Sequence, residues 1–348
     1  MKWVDLRSDT VTQPTAAMRQ AGLSAAVGDD VMGDDPSVNA LQERVASELG
    51  FQSALYVPSG TQSNLLALMA HCERGDEYLV GMDAHTYKYE GGGAAVLGSI
   101  QPQPIVQAED GSLPLDLLDA AVKPLGDPHF ARTRLLALEN TWHGRPLPLD
   151  YLAQAGAFAR ERGLAFHLDG ARLYNAAVAC GVPASQIAGH FDSVSVCLSK
   201  GLGAPVGSVL AGSRALVDKA RRWRKVLGGG WRQAGIMAAM AHHALDHHVA
   251  RLADDHRRAA QLADALRAIG LAVDGAHTNI VFVTVPDGRQ GELAKALEAR
   301  GVRISAGRGP RIRLVTHLGV DDDGIARTAA AFREFMAGDE PPRVGPKA

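Results

Sequence analysis

The chain has 348 residues, which at roughly 150 residues per domain leaves room for about two domains. Hydrophobic residues make up 46% and charged residues 21%, an ordinary globular balance that excludes a disordered chain, a collagen or a small disulfide scaffold. Lys+Arg (36) nearly matches Asp+Glu (38), so a net charge of −2 offers no electrostatic basis for nucleic acid or an anionic membrane as the main partner. No apolar run approaches the ~20 residues that span a bilayer. The opening Met1-Lys2-Trp3-Val4-Asp5-Leu6-Arg7 lacks the apolar stretch of a secretory signal, so a cytoplasmic location is expected. Cys72, Cys180 and Cys197 are odd in number and widely spaced, neither a disulfide framework nor a CxxC metal site.

In chain order, Asp35-Pro36 opens a helix, with Asp35 as N-cap and proline in the first turn. Val38, Leu41, Val45 and Leu49 then recur at helical spacing up to a C-terminal Gly50. Strand-length apolar runs follow at residues 54–57, 78–80, 135–138, 164–168 and 194–198, separated by helical patterns such as Leu152, Ala155, Phe158 and Ala159 after Asp150, taken as an N-cap. Such alternation predicts an α/β fold with a mainly parallel sheet covered by helices on both faces. From about residue 245 the texture changes. A long helical stretch over 236–269 leads into an apolar run at 280–285, a helix near 291–300 and a run at 311–316. These predict a smaller C-terminal α+β domain (248–337) after a large domain (1–247) that includes the N-terminal segment, with 338–348 as a loose tail.

Ligands of an open parallel sheet sit beyond the carboxyl ends of its strands, so the residues after each run are the candidates. After 54–57 comes Pro58-Ser59-Gly60-Thr61-Gln62-Ser63-Asn64, a small hydroxyl-bearing turn at a helix start. It suits a phosphate, although taken alone it reads first as an ordinary capping turn. After 164–168 comes Asp169-Gly170-Ala171-Arg172, where a buried carboxylate needs a partner, either Arg172 or a ligand cation. After 194–198 comes Ser199-Lys200-Gly201-Leu202-Gly203, a lysine at the end of an apolar strand and flanked by glycine. Desolvation turns such a lysine into a Schiff-base nucleophile, although most lysines in loops are merely solvated. Taken together, a phosphate turn, a carboxylate and a lysine are the parts that hold pyridoxal 5′-phosphate.

At this point the sequence resembles a known family, the low-specificity L-threonine aldolases, which are fold-type I pyridoxal-phosphate enzymes. The matching segments include Asp5-Leu6-Arg7-Ser8-Asp9-Thr10, Gly33-Asp34-Asp35-Pro36, Ser59-Gly60-Thr61, Asp83-Ala84-His85, Glu90-Gly91-Gly92 and Glu139-Asn140-Thr141. They continue with His167-Leu168-Asp169-Gly170-Ala171-Arg172, Leu198-Ser199-Lys200-Gly201-Leu202-Gly203, Trp223-Arg224-Lys225, Arg232-Gln233 and Arg313-Leu314-Val315-Thr316-His317. The resemblance spans nearly the whole chain and implies a seven-stranded sheet in the large domain. It implies that Lys200 forms the Schiff base and that Asp169 faces the pyridine nitrogen. Ser59, Gly60 and Thr61 would hold the phosphate, with Lys225 and Arg232 helping across a subunit interface. His85 would stack on the ring and act as, or position, the base. Ser8, Arg172 and Arg313 would grip the substrate carboxylate, for which arginine's planar fork is suited. The implied reaction is reversible cleavage of L-threonine, L-allo-threonine and other β-hydroxy-α-amino acids to glycine and an aldehyde, in a homo-oligomer, a tetramer built as a dimer of dimers.

The sequence departs from the family at three places. Met32 stands where a tyrosine is common, Trp142 followed by His143 where a histidine is frequent, and Trp231 where methionine precedes Arg232. Met32, Trp142 and His143 are expected near the substrate side chain, in a pocket suited to bulkier aldehydes. Two rival readings are a β-eliminating lyase or racemase, which uses the same cofactor, and a non-catalytic member of the fold. His242, His243, His247 and His248 lack a third-ligand spacing and read as a solvated or interfacial helix face. Arg221-Arg222-Trp223-Arg224-Lys225 reads as a phosphate or subunit contact.

Overall fold

A computed structural model describes residues 3–285, 288–307 and 309–338. Its strands are, in chain order, β1 (Val4–Asp5), β2 (Ser53–Val57), β3 (Asp76–Gly81), β4 (Gln101–Ile105), β5 (Arg132–Glu139) and β6 (Ala165–Gly170). They continue with β7 (Ser193–Cys197), β8 (Ser208–Gly212), β9 (Ala272–Gly275), β10 (Ile280–Thr284), β11 (Val302–Arg303) and β12 (Arg311–Val315). The chain divides into two compact units, Pro14–Val249 and Met1–Gln13 with Ala250–Ala348.

The larger unit holds a seven-stranded sheet in the order β2-β8-β7-β6-β5-β3-β4, in which β8 alone runs antiparallel to its neighbours. The five expected runs are strands of this sheet. Two strands escaped the sequence reading. β4 carries Pro102 and Pro104, which donate no ladder hydrogen bonds, and it survives because it is an edge strand. β8 returns directly from β7 after a glycine-rich connection that masks its start. At the other edge, Tyr56 of β2 has both backbone groups occupied from outside the sheet, its N–H by Gln42 Oε1 (3.0 Å) and its carbonyl by Arg224 Nη1 (2.7 Å).

The helix Pro36–Leu49 starts as expected. Asp35 caps it through Val38 N (3.0 Å), and its second oxygen also accepts from Gly235 N (2.8 Å). Gly50 ends it in the left-handed conformation. The helix Gly60–His71 is buried along most of its length. Leu66, Ala67 and Ala70 meet Leu216, Val217 and Ala220 of the helix Arg214–Val226 in one core cluster, whereas Leu65, Leu68 and Met69 meet Tyr78, Val80 and Leu135 of β3 and β5 in another. Each fully buried leucine contributes about 2 kcal/mol. The helix around Asp150 begins earlier than expected, at Leu149, with Pro148 at the cap and Asp150 inside the first turn, where its carboxylate still favours the positive end of the helix dipole.

The smaller unit has a parallel pair, β1 and β11, and an antiparallel sheet, β12-β10-β9. Leu262, Leu266, Val281, Val283, Ile312, Leu314 and Phe332 fill its core. Residues 1–13 belong here rather than with the large domain, because Val4 and Asp5 pair with Val302 and Arg303. The expected single helix over 236–269 is two helices, Gly235–His247 and Leu252–Arg267, and the unit boundary falls in the break between them. The helix Asp322–Ala337 is closed by Gly338, and the remainder of the expected tail lies outside the described residues.

Candidate active site

Five strands of the larger unit deliver polar side chains from their carboxyl ends: Ser59 after β2, His85 after β3, Glu139 at the end of β5, Asp169 near the end of β6 and Lys200 after β7. Ser59 is the N-cap of the Gly60–His71 helix, and its Oγ accepts from Gln62 N (3.1 Å). The amides of Gly60 and Thr61 belong to the first turn, where N–H groups have no partner within the helix. Residue 60 has to be glycine, since a Cβ there would meet Cys197 Sγ at 2.6 Å. The 228–230 turn packs on the same helix start, where a Cβ on Gly229 would strike Gln62 Oε1 at 1.9 Å.

Asp169 is buried at 3% exposure. Its partners include Asn64 Nδ2 on Oδ2 (2.9 Å) and Ala171 N on Oδ1 (3.0 Å), both neutral donors. The same Asn64 Nδ2 donates to Glu90 Oε1 (2.9 Å), and Glu90 holds His85 Nδ1 at 2.8 Å. His85, Glu90 and Asp169 thus bring one polar atom each within 4.8 Å of the others. The bond to Glu90 raises the His85 pKa, with the charges of Asp169 and Glu139 adding to it against partial burial. Burial raises the Glu90 pKa. Glu139 is pushed up as well, by burial and by the Asp169 charge, and it accepts from His85 N (2.7 Å). Lys200, in the connection from β7 to β8, is near enough for its positive charge to favour the ionised form of Glu139. Its turn is closed by Gly203 N on Lys200 O (2.9 Å) and anchored by His248 Nδ1 on Leu202 O (2.6 Å).

A family model described as "Beta-eliminating lyase" matches residues 5–287. The low specificity L-threonine aldolase of Escherichia coli (strain K12) is 54% identical over 334 residues, covering 96% of this chain and 99% of that protein. The chain belongs to the low-specificity L-threonine aldolases. A second aldolase of this kind, low-specificity L-threonine aldolase 1 of Arabidopsis thaliana, is 42% identical over 97% of each chain. Among solved structures, the threonine aldolase of Leishmania major shares the fold at a TM-score of 0.82 and 19% identity, over 96% of this chain and 99% of that one.

Other residues singled out from the aldolase resemblance fall elsewhere. Arg172 is half-buried at the start of the helix Leu173–Cys180. Arg232 pairs with Asp29 (2.9 Å), on whose turn Met32 is 72% exposed, and Lys225 ends the helix Arg214–Val226. In the smaller unit, Ser8 caps a short turn through Thr10 N (3.2 Å), and Arg313 Nη2 reaches Arg7 O (3.5 Å). Trp142 stands edge-on to His143 (4.4 Å) and lies against Gly111, with its Nε1 buried and without a hydrogen-bond partner. Of the four-histidine run, His248 is buried rather than on a solvated face. Arg224 of the basic run is a buried tie to Asp30 (2.9 Å) rather than a phosphate contact. Asn64, Glu90, Glu139 and His167 were missed as site residues: Asn64, Glu139 and His167 act through partners distant in sequence, and Glu90 follows its partner His85 by a five-residue spacing that carries no signature.

Proposed function

We propose that the chain cleaves L-threonine, L-allo-threonine and related β-hydroxy-α-amino acids to glycine and an aldehyde, reversibly, with pyridoxal phosphate as cofactor. The observation that carries this reading is the cluster of His85, Glu90 and Asp169 at the same edge of the sheet whose strand ends bear Ser59 and Lys200. These residues fit the cofactor: a helix start with glycine at 60 for a phosphate, a buried Asp169 held by neutral donors for a protonated ring nitrogen, and a lysine for the carbonyl carbon. When bound, pyridoxal phosphate supplies an electron sink for the pair released from the Cα–Cβ bond. Ser59, Gly60 and Thr61 would hold the phosphate, with Lys225 and Arg232 assisting across a subunit interface, and Lys200 would hold the cofactor through its carbonyl carbon. Arg172 orients the substrate carboxylate, with Ser8 and Arg313 as further ligands. His85 removes the β-hydroxyl proton at its imidazole, directly or through a water, and Glu90 stabilises the cation that forms. The reading includes a cytoplasmic homotetramer, a dimer of dimers. It is supported by free cysteines at 72, 180 and 197 and by exposed apolar side chains at Leu23, Val96 and Val226.

Purified protein should be yellow and gain a longer-wavelength absorption band on adding glycine. It should release an aldehyde from threonine. Ammonia in place of aldehyde would shift the reading to β-elimination, and protein that stays colourless with added pyridoxal phosphate would end it. Bulkier aldehydes should suit positions 32 and 142, so phenylserine should outperform threonine by a wider margin in the wild type than in Trp142→His; an equal or smaller margin would sink this expectation.

A further inference from the structure

Behind Asp169 a string of buried polar side chains crosses between the sheet and the Gly60–His71 helix. His167 and Asp169 alternate on one face of β6, and Ser193 is the register partner of His167 on β7. Asn64 and His71 are seven residues apart on the helix, two turns along the same face. The contacts are continuous: His71 Nε2 to Ser193 Oγ (2.8 Å), Ser193 Oγ to His167 Nδ1 (2.9 Å), His167 Nε2 to Asn64 Oδ1 (3.2 Å) and Asn64 Nδ2 to Asp169 Oδ2 (2.9 Å). Asn64, His167 and Ser193 are at most 1% exposed.

The chemistry of these groups allows one direction only. Asn64 Nδ2 faces two carboxyl groups, so Oδ1 faces His167 and can only accept. His167 therefore carries its proton on Nε2, and its bare Nδ1 accepts a hydrogen bond from the Ser193 hydroxyl. The Ser193 oxygen in turn accepts from His71 Nε2–H. Burial favours this neutral state, lowering the pKa of His167 to about 3 and of His71 to about 4.

We propose that His167 is a positioning residue of the cofactor site: as the Nε2–H tautomer that Asn64 Oδ1 requires and the Ser193 hydroxyl completes, it fixes the Asn64 amide and so holds Asp169 oriented. What Asp169 does rests on the aldolase reading above, whereas the tautomer does not. In the cofactor-free protein, nitrogen-15 spectra of labelled histidine should show His167 as a neutral Nε2–H ring at neutral pH. An Nδ1–H or charged ring overturns the proposal, even if the protein takes up no cofactor and the aldolase reading has failed. Loaded with nitrogen-15 pyridoxal phosphate, His167→Leu and Asn64→Leu should move the pyridine nitrogen signal toward its unprotonated position. Their kcat should fall by roughly 10-fold, with KM for threonine within about twofold. His167→Gln, which keeps an N–H where Nε2 lies, should restore both. Folded leucine variants with unchanged signal and kcat would overturn the proposal, and should His167→Leu fail to fold, Asn64→Leu and the tautomer decide.

Discussion

At the rim of the site, His85 has a 43% exposed side chain and leans on a carboxyl group. At its floor, His167 is fully buried between an amide and a hydroxyl. The first has its pKa raised by Glu90 and the second has it lowered to about 3 by burial. Two imidazoles linked to the same Asn64, one directly and one through Glu90, thus acquire opposite properties. A carboxylate partner and access to water let a ring exchange protons, while neutral partners in a dry interior freeze it as a one-way donor. The number of histidines near a cofactor therefore says little until each one's partners are known.

The largest effect should come from the charge both rings serve. Asp169→Asn keeps the shape and should lower kcat/KM on the order of 10³-fold, the scale of losing one preorganised electrostatic partner. A loss under tenfold would dissolve the distinction between floor and rim. His85→Asn should cost about 10²-fold, a usual contribution of a general base, and should abolish the acid limb of the pH–rate profile. Glu90→Gln should be milder. Without the carboxylate His85 loses its proton more readily, so the acid limb should move to lower pH by about one unit, and an unmoved limb would remove His85 as the base. The smallest effect concerns stability. His71 and His167 bind a proton near pH 6.5 when unfolded but only near about 4 and about 3 when folded. Their contribution is therefore complete above about pH 6.5 and lost as the pH falls below it. The melting temperature should drop between about pH 7 and 5, and the drop should be shallower in His167→Gln.

Much of this site was legible from strand ends alone. Ser59, Asp169 and Lys200 each follow an apolar run and each stands at the carboxyl end of a strand. The supporting residues were not, because their meaning is pairwise. Asn64 lies 105 residues from Asp169, and Glu139 lies 54 residues from His85. One signal was present in the alternation of His167 with Asp169 along a buried strand, since two polar residues on one buried face need partners. The strand β4 was hidden by its prolines, and β8, as long as β2 and β7, by the glycine-rich connection from which it emerges. Residues 1–13 were misassigned because pairing with β11 is a contact across almost the whole chain.

The flanks of the seven-stranded sheet bear on how the protein behaves when crowded. An open strand edge is a template on which another molecule can add a strand. On one flank Pro102 and Pro104 withhold the donors such growth requires. On the other, Gln42 and Arg224 already occupy the groups of Tyr56 that an incoming strand would seek. The sheet is thus blunted against fibre formation by its own covalent chemistry on one side and by two borrowed side chains on the other, and it is the second side that single substitutions can reopen.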